Sequence, residues 1–380
     1  MNIHLHPNSS EIKIYWQDKR SSEDSFFGPI RANLCEVEKR VSDVRASLND
    51  LNRYFDRSKE NADPEFRDYT RIMNRLQGAA RALFGALVHN SEPADLAKQL
   101  HSKLRSLPTG TEVTLHCPDD AVSIPIGFLA DPDQDFATRS GPPKRSDFDH
   151  FWINQFKLTV RVNNCSVDSS QLQVEPESVR ALYALHESEV EKAITYFSNQ
   201  NWTDDITKFR QLTAIDVRDK YKWEAVNEAC KKITDASSIV FVLAHSDGDN
   251  LDLGDYEMDS GAFARMIQLD RSSDKPELLI LNCCASAAGA PGRKSLLSVI
   301  ARRGFLGLIG TEAEISNASA LRCGIRFMWN LCANGATLGE AFSEMQASED
   351  LFPSNLFYTC YASRAFRLTR PMQLQYEVRQ

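Results

Sequence analysis

Features that would place a protein in several specialised classes are missing from this 380-residue sequence. Acidic residues outnumber basic ones, 52 Asp and Glu against 44 Lys and Arg, so the formal net charge is −8 at pH 7. No segment interleaves aromatic and basic residues in the way that follows a nucleic-acid backbone. We therefore expect no direct contact with nucleic acid.

Long apolar segments are also absent. No stretch reaches the roughly 18 apolar residues that a membrane-spanning helix needs. Residues 1–7 lack the order of a signal peptide, in which a basic segment precedes an apolar one. The sequence therefore predicts a cytoplasmic protein that makes no membrane contact.

Paired cysteines and phosphate-binding motifs are missing as well. The nine cysteines are scattered and include no C-x-x-C pair, which fits free thiols in a reducing compartment and argues against zinc sites and disulfide frameworks. No G-x-x-x-x-G-K-[ST] segment occurs. A cysteine phosphatase needs Arg six residues after its cysteine, where this chain has Ala290 counted from Cys284 and Gly289 counted from Cys283. We expect no metal and no other cofactor.

Two apolar runs end in residues that can carry out nucleophilic chemistry. Residues 237–244 lead into His245, and residues 278–282 lead into Cys283 and Cys284. Such runs are typical of buried parallel strands, and residues just past the carboxyl ends of these strands converge on one crevice. A thiolate is the reactive form of cysteine, and a neighbouring imidazole can accept its proton. The pattern predicts a His/Cys dyad, and the alternative is inert packing of both residues.

The pattern of apolar residues divides the chain. Steps of three and four run from 33 to 55 and again from about 65 to 89, which predicts an amphipathic helical hairpin. Its apolar seam packs within its own domain or, alternatively, docks a partner. From residue 106 onward strand and helix patterns alternate, as in parallel βαβ units. We predict an N-terminal segment at 1–32, a helical extension at 33–105, an α/β domain at 106–370 and a tail at 371–380.

Short blocks follow one another in the α/β part, at residues 122–129, 237–248, 281–286, 307–312, 334–342 and 355–358. This order resembles the CHAT domain, a caspase-like cysteine peptidase module of clan CD found in bacterial proteins. The resemblance covers about residues 106–370. It implies a mostly parallel sheet flanked by helices, and a cysteine endopeptidase that cleaves a protein substrate. It further implies a regulated role in bacterial defence or signalling, with a protein activator or sensor as partner.

The resemblance also assigns roles to residues. It makes Cys284 the nucleophile, with Ser286 shortly after it, and His245 the general base. Cys283 is the alternative nucleophile, because one step along a strand turns a side chain to the opposite face. Backbone N–H groups of Cys284 and of Ser246, which follows the histidine, would form the oxyanion hole.

Ser246 departs from the caspase-like pattern, which generally has Gly directly after the histidine. Here the glycine comes only at Gly248, and Ser cannot freely adopt the positive φ that Gly can. The departure keeps a second function open, that of a catalytically inactive caspase-like scaffold that binds a protein partner.

An acidic cluster follows the histidine, made up of Asp247, Asp249, Asp252, Asp255, Glu257 and Asp259. Its spacing is not that of an EF-hand calcium loop. We expect a solvated loop, and the alternative is a rim that favours basic substrate residues.

Overall fold

The computed structural model describes residues 1–8, 10–18, 26–59, 66–117, 124–133, 143–162, 173–176, 179–213, 222–231, 237–246, 250–254, 257–266, 277–284 and 307–372. The chain divides into two compact units, Met1–Asn164 and Cys165–Gln380. No helix in the described ranges is both long and apolar enough to cross a membrane.

The first unit combines a mixed sheet with helices packed on one of its faces. Its elements are β1 (Asn2–Pro7), β2 (Glu11–Gln17), β3 (Phe26–Asn33), α1 (Leu34–Lys59), α2 (Phe66–Phe84), α3 (Ala94–Arg105), β4 (Thr111–Cys117), α4 (Trp152–Gln155) and β5 (Phe156–Val162). The strand order is β3-β2-β1-β4-β5, in which β1, β4 and β5 run parallel and β2 is antiparallel to both of its neighbours. Every second residue of β2 is buried, which is the pattern of a strand with one face on the core.

The apolar seam of α1 is buried within the chain. Val37, Val44, Leu48 and Leu51 are each 0% exposed, and α1 packs along α2. An ion pair between Arg75 and Asp50, at 2.7 Å, joins the two helices at their surface. The buried seam favours packing within its own unit over docking of a partner.

The boundary between the two units, at 164/165, differs from the domain boundary predicted at 105/106. Strand β4 pairs with β1, and β5 pairs with β4 over residues 111–117, so both strands belong to the first unit. The partner of a strand is a long-range choice that no local pattern shows. The segments 1–32, 33–105, 106–370 and 371–380 stay predictions as domains, although 1–32 contains strands of the first unit's sheet.

The second unit is built on a mostly parallel sheet. Its elements are β6 (Gln173–Val174), β7 (Val179–Leu185), α5 (Glu187–Asn199), α6 (Thr203–Thr213), α7 (Trp223–Lys231), β8 (Ser237–Leu243), β9 (His245–Ser246), β10 (Asn250–Asp252), β11 (Glu257–Asp259), α8 (Ser260–Met266), β12 (Glu277–Leu281), β13 (Gly307–Thr311), α9 (Asn317–Met328), α10 (Leu338–Ala347), β14 (Tyr358–Ala362) and β15 (Arg367–Leu368). The main sheet has the order β14-β13-β12-β8-β7, with only β14 antiparallel among these strands. The predicted α/β class, a mostly parallel sheet flanked by helices, is confirmed.

Strands β8 and β12 lie at the centre of this sheet. Residues 239–243 and 278–281 are at most 2% exposed, because helices cover the sheet and leave no polar face for these strands. Their apolar sequences therefore follow from their position. Polar side chains follow these buried runs at the carboxyl ends of the two strands.

Candidate active site

Polar side chains gather at the carboxyl ends of the parallel strands of the second unit. His186 follows β7 and His245 follows β8. Asn282, Cys283 and Cys284 follow β12. Ligand and active sites of open α/β sheets lie at this edge.

Strands β8 and β12 are paired up to their carboxyl ends, shortly before His245 and Cys284. Leu281 of β12 is paired with Val242 of β8, and the Asn282 N–H donates to the Val242 carbonyl at 2.8 Å, which extends the pairing by one residue. His245 and Cys284 each come three residues after this pair. Neighbouring strands lie about 4.8 Å apart, so the segments that carry the two predicted site residues start from adjacent points, at Leu243 of β8 and Leu281 of β12.

His245 is 48% exposed at its side chain, and two groups of the α5 region lie against it. Its Nε2 atom is 3.4 Å from Oε1 of Glu189, in the first turn of α5. The His186 ring lies edge-on to the His245 ring, with 4.8 Å between the centroids and 79° between the planes. A carboxylate in this place can orient an imidazole and stabilise its protonated form.

The Glu189 carboxylate is held in place by further contacts. Its side chain is 13% exposed. Asn317 donates from Nδ2 to Oε2 at 2.8 Å, and Lys192 donates from Nζ to Oε1 at 2.7 Å. Burial works to raise the pKa of Glu189, but the hydrogen bonds from Lys192 and Asn317 and the nearby positive charge outweigh it, so the pKa lies below its ordinary value.

His186 is buried beside this group. Desolvation, followed by the charge of His245, lowers the pKa of His186 below its ordinary value. Gly254, at φ +94°, packs against the ring, and a Cβ there would lie 3.0 Å from Cε1 of His186. A neutral His186 adds no second cation beside His245.

The sequence analysis did not identify His186 or Glu189. The signal for them is the same as that used for the other two strands, since residues 186–189 come directly after the apolar run Val179–Leu185.

The two adjacent cysteines differ in exposure. Cys283 is buried, at 1% exposed, whereas Cys284 is half-buried. The Cys284 thiol lies against the backbone of Ile315, with its Sγ atom 3.5 Å from the Ile315 N–H donor and 3.3 Å from the Ile315 carbonyl. The thiol donates to the carbonyl and accepts from the N–H, so both backbone groups of Ile315 hold the sulfur in place.

The backbone around the cysteines is fixed by buried hydrogen bonds. Thr311 donates from Oγ1 to the Cys283 carbonyl at 2.6 Å. Asn282, fully buried, donates from Nδ2 to the Ala320 carbonyl at 2.5 Å and accepts from the Tyr358 hydroxyl. Satisfied buried polar groups of this kind rigidify their surroundings. The position of Cys284 is therefore set by the sheet rather than by a free loop.

The structure describes only some of the remaining residues that the sequence analysis singled out. Ser246 lies in β9, half-buried and paired with Leu251 of β10. Gly248 and Ser286 lie outside the described residues, as do Asp247, Asp249 and Asp255. The oxyanion assignment of Ser246 and Cys284 stays a prediction.

Three of the acids after the histidine lie in short strands rather than in the expected loop, although Glu257 and Asp259 are exposed to solvent as expected. Asp252 lies in β10, and Glu257 and Asp259 lie in β11. Asp252 pairs across the strands with His245 on one side and Glu257 on the other, while Leu251 and Met258 are buried on the opposite face. Residues that pair across strands share a face, so carboxylates extend outward from His245.

A second polar cluster lies in the first unit. Within the described ranges, His101, Asp131 and Asp133 offer ligand atoms within 4.8 Å of one another, and His101 and Asp131 line a cavity of about 290 Å³. Arg105 already contacts both carboxylates, at 3.2 Å from Asp131 and 3.1 Å from Asp133. With His101 3.0 Å from Asp131, the cluster forms a network of ion pairs and hydrogen bonds within the unit.

Comparison with known proteins identifies the fold. No family model matches the chain, and no curated protein matches it. A chain of the Saccharomyces cerevisiae separase–securin complex, solved at 3.0 Å, matches with a TM-score of 0.51 and 10% identity, over 97% of this chain and 30% of that chain. The 2.6 Å structure of the same complex gives a TM-score of 0.51 and 9% identity over the same shares.

The fold is caspase-like. At this identity the likeness shows the fold alone, and the chain spans 30% of the length of the separase-complex chain that it matches. A weaker likeness, with a TM-score of 0.37 and 10% identity over 87% of this chain and 76% of the other, links it to the Arg-specific cysteine proteinase gingipain R. Membership of the CHAT family stays a prediction.

Proposed function

We propose that the second unit is a cysteine endopeptidase in which Cys284 is the nucleophile and His245 is the general base. The observation that supports the proposal is that His245 and Cys284 each follow the carboxyl end of one of two paired, neighbouring strands in a caspase-like sheet. The difference in exposure between Cys283 and Cys284 favours Cys284, since a nucleophile has to reach its substrate.

The reaction follows from these groups. His245 accepts the thiol proton of Cys284, and the thiolate attacks the carbonyl carbon of a peptide bond. The resulting imidazolium, stabilised by Glu189, returns the proton to the leaving amine, and an acyl-enzyme remains on sulfur. Water activated by His245 then hydrolyses the thioester and frees the carboxylate product. Backbone N–H groups of Ser246 and Cys284 are the oxyanion donors in this proposal.

The proposal extends to the biological setting through the CHAT resemblance. It describes a regulated bacterial protease in defence or signalling, cytoplasmic, with a protein substrate and a protein activator or sensor, and without membrane or direct nucleic-acid contact. Two observations support this part. The separase neighbour was solved together with a second protein, securin, and the net charge of −8 disfavours nucleic acid.

A second candidate function is a caspase-like scaffold that binds a protein without cleaving it. The observation that favours it is Ser246, which stands where caspase-like enzymes generally have Gly. The crevice at the strand ends would then be a docking site only.

Thiol labelling separates the two functions. The full chain is treated with substoichiometric iodoacetamide at pH 7, and the modified cysteines are mapped by mass spectrometry. The peptidase proposal expects preferential labelling of Cys284, lost in His245→Ala, while exposed Cys35 serves as the internal control and is unchanged. If Cys284 reacts no faster than Cys35, and equally in both proteins, the dyad does not exist and the scaffold is favoured.

A further inference from the structure

One short segment of the second unit touches both sides of the proposed dyad. Residues 315–317 lie where the connection from β13 enters α9, and Asn317 is the first residue of that helix. At one end of the segment the Ile315 backbone contacts the Cys284 thiol. At the other end the Asn317 side chain contacts Glu189, which lies against His245.

The two carboxylate oxygens of Glu189 contact different groups. Oε2 accepts from Asn317 at 2.8 Å, and Oε1 is 3.4 Å from His245 Nε2. A carboxylate is planar, so a bond that fixes Oε2 also fixes the direction of Oε1. Lys192 contacts Oε1 as well, but its side chain is 70% exposed, and exposed ion pairs of long side chains constrain geometry weakly.

We infer that Asn317 is a positioning residue of the proposed peptidase, which holds the Glu189 carboxylate so that Oε1 faces the His245 imidazole. The inference rests on the proposed function. Asn317 touches neither the thiol nor the imidazole in this role and acts only through Glu189. The depressed pKa of Glu189, to which the Asn317 hydrogen bond contributes, keeps the carboxylate charged while it faces the histidine.

The substitution Asn317→Asp tests this role. It keeps the shape of the side chain, removes the N–H donor and places a second negative group beside Glu189. Asn317 is the first residue of α9, where an acidic side chain interacts favourably with the helix dipole. The dipole interaction opposes the repulsion from Glu189, and the melting temperature is measured with each rate so that reactivity is compared only between folded proteins.

The readout is the rate of Cys284 alkylation by iodoacetamide in the full chain, followed from pH 5 to pH 9. Asn317→Asp is expected to slow alkylation about tenfold at pH 6–7, the factor that corresponds to one lost hydrogen bond to a charged group, and to change the shape of the pH profile. The control is Asn334→Asp, an exposed asparagine of the same unit whose Nδ2 donates to Oδ1 of Asn330 at 2.9 Å. It is expected to leave the rate and the profile unchanged.

A double-mutant cycle shows whether the effect passes through Glu189. Glu189→Gln alone is expected to slow alkylation, and Asn317→Asp is expected to add nothing further in that background. An equal slowing by Asn317→Asp with and without Glu189 overturns the inference, as does a wild-type rate in Asn317→Asp while His245→Ala is slow. If His245→Ala already alkylates at the wild-type rate, the proposed function itself has failed.

Discussion

At the scale of single residues, the adjacent cysteines are a case in which one step along the chain separates packing from chemistry. Cys283 is 1% exposed and its carbonyl is held by Thr311, whereas the thiol of Cys284 lies half-buried at the edge of the sheet. Strand β12 ends at Leu281, and the chain bends at Cys283 and turns at Cys284, so the two side chains face different surroundings. The two positions therefore respond differently to the same substitution.

Cys284→Ala is expected to abolish proteolysis and selective labelling with little change in stability, because the thiol is not deep in the core. Cys283→Ala is expected to keep the labelling of Cys284 and to lower the free energy of unfolding by about 1 kcal/mol, because it leaves a small cavity. Urea denaturation and mapped alkylation measure the two effects. Loss of activity in Cys283→Ala with full activity in Cys284→Ala would reverse the assignment of the nucleophile.

A second residue-scale prediction concerns His4 in the first unit. Desolvation, with a smaller contribution from His6, lowers the pKa of His4, whose ring stacks on His116 with centroids 4.2 Å apart and planes 5° apart. Its folded pKa lies below the ordinary value of 6.5, so its contribution to stability is present above pH 6.5 and is lost as the pH falls below that value.

We expect hydrogen exchange of the β1 amides to speed up between pH 7 and pH 5, after correction for intrinsic exchange rates. His4→Phe keeps an aromatic ring against His116 but does not titrate, so it should flatten this pH dependence. His6→Phe removes only the smaller contribution to the His4 shift and should weaken the pH dependence less than His4→Phe does. An unchanged pH dependence in His4→Phe would show that another group is responsible.

At the scale of elements, the seam of α1 shows what an amphipathic pattern can and cannot predict. The spacing predicts the helix and its buried face, and the structure has the helix at Leu34–Lys59. The spacing alone does not distinguish a face buried within the chain from one buried by a partner. Burial of Val44 and Leu51 at 0% exposed places that face inside the chain.

Val44→Asp combined with Leu51→Asp is therefore expected to unfold the first unit rather than to tune activity. Burying an unpaired carboxylate costs several kcal/mol, which is comparable with the entire stability of a domain. Circular dichroism during thermal denaturation measures the loss, and Lys39→Asp on the exposed side of the same helix is the control, expected within about 0.5 kcal/mol of wild type. A folded double variant with altered Cys284 reactivity would restore a regulatory role for the hairpin.

Long, strongly patterned elements were predictable from sequence, and short or long-range features were not. Residues 179–185 and 156–162 form strands as their apolar patterns predict. Strands β9, β10 and β11 are only two or three residues long, so no period of two can be recognised in their sequences, and they contain acidic residues. The sequence predicts only an N-terminal segment for β1 to β3, because β4, the parallel partner of β1, lies about a hundred residues further along the chain.

In the candidate site, too, some residues could be predicted from local sequence and others could not. His245 and Cys284 follow the two strongest apolar runs, so local sequence was enough to select them. Asn317 was beyond reach, since its contact with Glu189 joins residues 128 positions apart. Only the packing of α5 against α9 brings them together.

At the scale of the whole molecule, the two proposed functions, peptidase and scaffold, use the same surface. They differ in whether the bound protein is released intact or cleaved. Both bind a protein at the carboxyl edge of the second unit's sheet, and the groups around His245 are held there by contacts within that unit, such as Asn317 with Glu189. Binding alone therefore cannot separate the two functions. The fate of the bound protein can.

Full-length wild type and full-length Cys284→Ala are expected to differ as baits in cells that contain the natural partner. The variant lacks the attacking sulfur but keeps the shape of the crevice, so it should retain one protein intact, whereas wild type should yield two fragments of that protein with a new N-terminus. Quantitative mass spectrometry of N-termini measures the difference, and Cys35→Ala, an exposed cysteine of the first unit, is the control that should behave as wild type. If wild type and Cys284→Ala both retain the same uncleaved protein, the caspase-like unit serves as a binding module, and Ser246 becomes the residue at which the loss of catalysis is to be sought.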